Sequence, residues 1–326
     1  MMIIEQEILG MTSLDSESSI CGSAQYGNGF DGYSDLSVEY SANKSTDEVL
    51  ARFVYLENKK MHLKEHALTC IEHDNNKALI ANLNLSVEQV IDSYIEYDYD
   101  IFKFDNSIYD SIEMRVVMHL HNSLEGSWHI DRQNTVYEFI KAFRPASVMD
   151  IGFGIPSLFV RKFIEDQSVQ ITLSDFSDSS MIFASHLLSD WNVNWPAHVN
   201  LAVEDMSQTA IHPQKHDMYI FQDSIEHAPN PTDCLLKFVR NTHPEALFLF
   251  SLPIGPKIPV HSISWNTDQE IRDWLNFAGL KILLEKKVKV NPEVDLFAEQ
   301  VNFSFVNLIV VCEKVTEVFP LSNFSV

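Results

Sequence analysis

The sequence predicts an α/β fold: a doubly wound, mostly parallel, seven-stranded sheet preceded by a helical N-terminal domain. Three observations carry that prediction. From about residue 130, short apolar runs alternate with amphipathic helical segments. The first run, "SVMDI", ends in a glycine-containing turn, "GFG", and a helical segment follows it. Two apolar runs stand consecutively near the end of the chain, which suggests an antiparallel hairpin at one side of the sheet.

Taken in order, residues 1–44 form a polar, acidic leader in which Lys44 is the first basic residue. Residues 45–128 have helical periodicity and read as a lid or dimerisation domain. Ser45 and Glu48 stand at capping-box spacing, as do Ser86 and Gln89. The segment "DNSIYDSIEMRVVMHLHNSL" predicts a third long helix. Tyr94, Tyr97, Tyr99 and Trp128 are candidates for an acceptor pocket, or for plain core packing.

Residues 129–326 form the sheet domain. "SVMDI", "VQITLSDF", "VNLAVEDM", "HDMYIFQDS", "ALFLFSLP", "KILLEKKVKV" and "FSFVNLIVVCEKV" read as strands. "TVYEFIKAF", "PSLFVRKFIED", "SSMIFASHLLSDW", "PTDCLLKFVRNTH" and "TDQEIRDWLNFAGL" read as helices. The last has Thr267 and Glu270 as a capping box and Gly279 as its stop. Pro156 is expected at the first helical position after the glycine turn, where its missing N–H costs nothing.

Composition excludes several function classes. At 326 residues and 45% hydrophobic, the chain can bury one large domain and a smaller one. It has no apolar run of about 18 residues and no basic start leading into an apolar core, so neither a membrane span nor a secretory signal is expected. Cys21, Cys70, Cys234 and Cys312 are scattered without a CxxC pair, which fits reduced thiols and a cytoplasmic location. A net charge of −23 repels phosphate backbones, so nucleic acid is not the expected partner.

The stretch "VMDIGFGIPS" raises the functional question. Gly152 and Gly154 allow a ligand to approach backbone, and a helix start offers free N–H groups. The dinucleotide fingerprint G-x-G-x-x-G fails, because position 157 is Ser157. Asp150 would repel a pyrophosphate and suits an ammonium or sulfonium group. It could also merely bond local backbone.

The stretch resembles motif I of the class I S-adenosylmethionine-dependent methyltransferases, a small-molecule subgroup like that of ubiquinone biosynthesis. The resemblance runs over about residues 130–312. It implies a Rossmann-like methyltransferase fold and S-adenosyl-L-methionine as cofactor. Asp150, Gly152, Phe153 and Gly154 would form the turn, with Asp175 on the ribose hydroxyls and Phe176 beside it. Asp175 could alternatively serve as a helix cap with Ser177 and Asp178. Glu204, Asp205 and Met206 resemble the segment beside adenine, with Asp205 accepting from the exocyclic amine and Met206 on the ring. Gln222 lies at the end of the fourth strand. His129 or Arg132 would pair with the cofactor's carboxylate. Pro156, in place of a third glycine, departs from the pattern.

Methyl transfer is an in-line displacement at an already activated carbon, so alignment of the acceptor matters most. A base is needed only where the acceptor loses a proton. Asp223, Glu226 and His227 follow the fourth strand and are the catalytic candidates; His227 is the best base, or else a packed histidine. The acceptor is expected to be a small molecule, with a homodimer allowed, and no metal is assigned. A rival reading comes from the resemblance of Asp223, Glu226, His227 and His261 to the metal-binding set of small-RNA 2′-O-methyltransferases. A second rival is a non-catalytic cofactor-binding protein.

Overall fold

The computed structural model describes residues 46–72, 76–99, 109–122, 128–166, 168–192, 194–208, 216–255, 257, 260–289 and 306–315. The acidic leader, the Ser45 cap and the side chains of Tyr97, Tyr99 and Trp128 lie outside these. Met1–Asn58 and Lys59–Val326 are two compact units. The sheet and the helices packed on it belong to the second unit.

Helices α1 (Thr46–Glu72), α2 (Asn76–Asn82), α3 (Val87–Tyr99), α4 (Ile112–Asn122) and α5 (Trp128–Phe143) precede the first strand. Ser86 and Gln89 form the expected box: the Gln89 N–H donates to Ser86 Oγ at 3.1 Å, and the Ser86 N–H to Gln89 Oε1 at 2.9 Å. Helix α5 starts at Trp128, so His129 and Arg132 belong to its first turns. Strands β1 (Ser147–Ile151), β2 (Gln170–Asp175), β3 (Val199–Val203), β4 (Met218–Gln222) and β5 (Leu247–Ile254) come next. They alternate with α6 (Leu158–Asp166), α7 (Asp178–Trp191) and α8 (Pro231–Asn241). The chain ends with α9 (Asp268–Phe277), β6 (Leu280–Lys289) and β7 (Val306–Lys314).

The seven strands form one sheet in the order β3-β2-β1-β4-β5-β7-β6. The pairs among β1 to β5 are parallel, with Asp150 opposite both Leu173 and Ile220. Strand β7 enters antiparallel between β5 and β6. The first five positions follow the doubly wound order, so the strand reversal between β1 and β4 opens a crevice at their carboxyl ends. Strands β1 and β4 read as nearly unbroken buried runs because helices cover both faces.

One face packs α8 and α9 on Met149, Ile151, Tyr219, Phe221, Phe248 and Phe250. Phe221 and Phe250 stack with ring centroids 5.2 Å apart. A second core joins Leu63, Ile71, Leu79, Tyr94, Val117 and Leu120 of α1 to α4 with Ile155, Phe183 and Leu187. Helix α4 therefore lies against α7 and reaches the loop after β1.

Two local expectations need correction. Helix α6 starts at Leu158, so Pro156 sits two residues ahead of it and not at its first position. The start is fixed from outside: Gln133 Oε1 on α5 accepts the Leu158 N–H at 2.7 Å. In the Thr267 box, Glu270 N–H donates to Thr267 Oγ1, but the Glu270 carboxylate accepts from Asn266 N–H. Among the described helices, none is long and apolar enough to cross a membrane. Cys70, Cys234 and Cys312 are free and buried.

Gly279 closes α9 at φ +82° with open space where a Cβ would stand. Gly279→Ala therefore isolates the left-handed penalty from any clash. We expect a loss of about 1–2 kcal/mol in unfolding free energy. Denaturant melts that overlay the parent would show that the α9–β6 turn does not need this conformation.

Candidate functional site

The site is built where β1, β2 and β4 end side by side. Gly152 (φ +65°) and Gly154 (φ +60°) turn the chain after β1. The Gly152 N–H donates to Ser174 O at 2.7 Å, which ties the turn to β2. A Cβ on Gly152 would fall 2.7 Å from Met206 Cε and 2.8 Å from Ser224 Cβ. Met206 thus packs against the turn, and Ser224 is fixed by donating to Ile151 O at 2.7 Å. Phe153, between the glycines, is buried.

Asp175, the last residue of β2, is buried and heavily bonded. Oδ2 accepts from the Gly154 N–H at 2.9 Å, and Oδ1 from the Ser177 N–H at 3.0 Å. Ser177 itself caps α7, accepting from the Ser179 N–H. Phe176 is exposed next to it, as is Val203 at the end of β3. Glu204 joins β2 through its N–H to Asp175 O at 2.8 Å. The exposed Asp205 accepts from both the N–H and the hydroxyl of Ser207. These residues line one rim of the crevice.

A buried charged cluster stands on the other side. Asp150 Oδ2 accepts from Gln222 Nε2 at 2.9 Å, while Oδ1 has no hydrogen-bond partner among the described residues. Burial pushes the Asp150 carboxyl up to about 7. Asp223 adopts φ +46°, a left-handed conformation that turns its side chain back over the sheet. It pairs with Arg132 of α5 and accepts from Ser251 Oγ and Asn307 Nδ2. Burial lowers the Arg132 guanidinium to about 10, against the opposing pull of the nearby Glu226 and Asp150. His129, one turn earlier on α5, is half-buried.

Glu226 lies in the short 3₁₀ turn Ile225–His227. It is fully buried, and neither carboxylate oxygen has a hydrogen-bond partner among the described residues. Burial raises its carboxyl to about 8. His227 Nδ1 faces Val260 O at 3.0 Å, and a carbonyl only accepts, so Nδ1 carries the proton and Nε2 presents a lone pair. Burial lowers His227 to about 4. His261 stands edge-on to it, centroids 4.7 Å apart, and is lowered to about 3 by burial and by His227. Glu226, His227 and His261 offer ligand atoms within 4.8 Å of one another.

The structure thus brings Asp150, Gln222, Arg132, Asp223, Glu226 and His227 into one cluster, and Gly152, Gly154, Asp175 and Met206 into another beside it. Sequence reading missed Arg115, Tyr109, Ser251 and Asn307. Arg115 of α4 is 1% exposed and stands 3.6 Å from Asp175. Tyr109 sits edge-on to His227, centroids 5.3 Å apart. The available signal was a lone polar residue inside an apolar run: Arg115 in "MRVVM", Ser251 in "FLFSLP", Asn307 in "VNLIVVC".

No protein-family model and no curated protein matches the chain. Among solved structures it is similar to the [4+2]-cyclase SpnF, at 13% identity over 58% of this chain and 83% of that one, with a TM-score of 0.46. It is similar to a putative methyltransferase from Bacillus halodurans, at 12% identity over 56% and 100% of the two chains, TM-score 0.44. A third is magnesium protoporphyrin IX methyltransferase from Synechocystis with bound SAH, at 11% identity over 67% and 93%, TM-score 0.42.

The buried carboxyls make stability pH-dependent. Glu226 is raised from 4.5 to about 8, so its contribution is full below pH 4.5 and is lost as pH rises through 8. Asp150 acts alike between 3.8 and about 7. His227, lowered from 6.5 to about 4, acts the other way and loses stability as pH falls through that range. Between pH 6.5 and 8 the carboxyls dominate. Glu226→Gln should flatten the fall in melting temperature over that window, by up to about 1.4 kcal/mol per pH unit in free energy. Parallel profiles for parent and variant would remove Glu226 as its source.

Proposed function

We propose that the chain is an S-adenosylmethionine-dependent methyltransferase acting on a small-molecule acceptor. The observation that carries this reading is the Gly152–Gly154 turn set between two buried carboxylates, Asp150 and Asp175, at the carboxyl edge of the sheet. A nucleoside with a sulfonium and an ammonium would be attracted there.

In this reading Asp175 accepts from the ribose hydroxyls, with Phe176 and Asp205 at the adenine rim. Asp150 faces the positive end of the ligand and is returned toward its ionised form by it. The helices α3 and α4 act as a lid. The methyl group is directed toward Asp223 and His227. The acceptor's lone pair forms the new bond to the methyl carbon as the carbon–sulfur bond breaks, and the electron pair leaves on sulfur. For a hydroxyl acceptor the product is first an oxonium, a strong acid. Even an imidazole as weakly basic as His227 takes that proton on Nε2. Arg132, Ser251 and Asn307 hold Asp223 in position behind it.

Glu226, His227 and His261 favour a second reading of the same pocket. A buried carboxylate with two unpartnered oxygens, beside two neutral imidazoles, fits a divalent cation. Those three residues would hold it, and it would polarise an acceptor oxygen as a Lewis acid when bound. The net charge of −23 still favours a small molecule over RNA as acceptor.

Calorimetry with S-adenosylhomocysteine tests the main reading. The parent should bind in the micromolar range, and Asp175→Asn should weaken binding at least tenfold while keeping an acceptor for the Gly154 N–H. No binding by the parent would end the methyltransferase reading. For the metal, Mn²⁺ added to chelator-treated protein should raise the melting temperature of the parent but not of His261→Ala. An unchanged parent leaves His227 as a metal-free base.

A further inference from the structure

The amino-terminal end of the sheet holds a cavity that the proposed methyl transfer does not use. It measures about 460 Å³ and lies against the first residues of β1, β2 and β3. That is within the range of small-molecule sites. From Gln170 to Asp175 is the whole length of β2, roughly 16 Å at the usual rise of a strand, so the cavity is separate from the crevice.

Its origin is in the topology. Register partners in a parallel pair share a face, and Ser147 pairs with Gln170, Met149 with Thr172, and Thr172 with Asn200. Met149 packs with α8 and α9, so this row of polar side chains lies on the same face, beyond those helices. A crossover between parallel strands usually brings a helix to cover such a face. Between β3 and β4 the described residues form no helix.

A solvated groove does not account for the lining. Thr172 is 4% exposed, and its hydroxyl makes no hydrogen bond among the described residues. Valine has the same shape and no bond to lose. The side chains of Gln170, His198 and Asn200 also line the cavity and make no hydrogen bond among the described residues. Ser147 Oγ accepts from the Asp217 N–H at 3.1 Å and keeps its own proton to donate. His216 is 6% exposed and stands edge-on to Tyr219, ring centroids 5.8 Å apart. In a chain that is 21% charged, no Asp, Glu, Lys or Arg is among the described lining residues. Asp217, beside His216 in sequence, accepts from the Ala146 and Ser147 N–H groups at 2.7 and 3.0 Å. A charged ligand would give up hydration here with no counter-charge in the lining. A neutral ligand with donors and acceptors of its own meets unbonded partners.

We infer that this cavity is a second ligand site, for an uncharged nucleobase or nucleoside. The Gln170 and Asn200 carboxamides each offer an N–H donor beside a C=O acceptor, the pairing that the edge of a base presents. The His198 and His216 imidazoles give flat surfaces of the kind on which bases stack. The hydroxyls of Ser147 and Thr172 supply further bonds. The inference stands independently of the adenosyl reading of the crevice.

The test is calorimetry of the full chain with adenosine and cytidine, each compared with its 5′-monophosphate. At least one nucleoside should bind, and its monophosphate should bind roughly tenfold more weakly or worse, because the phosphate finds no cation. Thr172→Val, which keeps the shape, and Asn200→Ala, at an exposed position, should each weaken that nucleoside about fivefold or more. Asp175→Asn, in the crevice, should leave its affinity as it was. Folding of each variant is checked by its melting transition, and Asn200→Ala serves if Thr172→Val does not fold. The inference fails if neither nucleoside binds, or if the monophosphates bind as well as the nucleosides. It fails equally if Asp175→Asn abolishes binding that Asn200→Ala retains, which would put the nucleoside in the crevice.

Discussion

The Asp175 carboxylate joins three separate parts of the chain: it accepts the Gly154 N–H from the turn after β1, accepts the Ser177 N–H that starts α7, and faces Arg115 of α4. Each of these groups would be left with an unmet bond or charge in the interior without it. The shape of the turn is a consequence. Gly154 holds a positive φ because its N–H must reach across to β2, and Gly152 because its own N–H is spent on Ser174. The crevice at the strand ends is therefore set by one anionic group with more claims on it than it can meet at full strength.

A second constraint comes from the charges behind the turn. Asp150, Asp223 and Glu226 share a neighbouring cation, Arg132, which is paired with Asp223. Asp150 and Glu226 respond by holding their protons, the least costly state for a carboxyl away from water. Such a cluster is poorly stabilised as it stands. It has an excess of acidic groups poised to ionise if positive charge arrives. Clusters of shifted carboxyls and imidazoles in a crevice are typical of functional sites, because a core built for stability alone would use apolar residues.

Much of the fold was legible because local chemistry determined it. Strands buried on both faces are continuous apolar runs, and Gly279 marked a helix end without help from elsewhere. The turn glycines and Asp175 were legible for the same reason: their types are restricted by backbone conformation and by position after a strand. The remainder depended on partners distant in sequence. Arg132 is an ordinary helical arginine until it meets Asp223, and Asn307 a stray amide in a strand until it donates to that carboxylate. Helix α6 begins two residues later than its sequence suggests because Gln133 on another helix takes its first N–H. Arg115 was overlooked because an arginine in a helix is usually solvated. Its neighbours, buried nearly all round the helix, were the clue.

The charge of the site also bears on what it can accept. In the proposed reading, an anionic acceptor entering beside Asp150, Asp223 and Glu226 would find two protonated carboxyls and one already paired carboxylate, and its own charge would go uncompensated in a low-dielectric setting, where such costs are large. A neutral hydroxyl or amine meets no such barrier. Its methylation by a sulfonium would move positive charge from sulfur onto the acceptor as the carbon–sulfur bond breaks, beside carboxyls that can ionise in response. A divalent cation held by Glu226, His227 and His261 would change this balance. It would compensate the ionised form of Glu226 and make an oxygen acceptor the favoured one. On the proposed reading, the pocket's carboxyls thus favour an uncharged acceptor, whereas a bound divalent cation would favour oxygen, neutral or anionic.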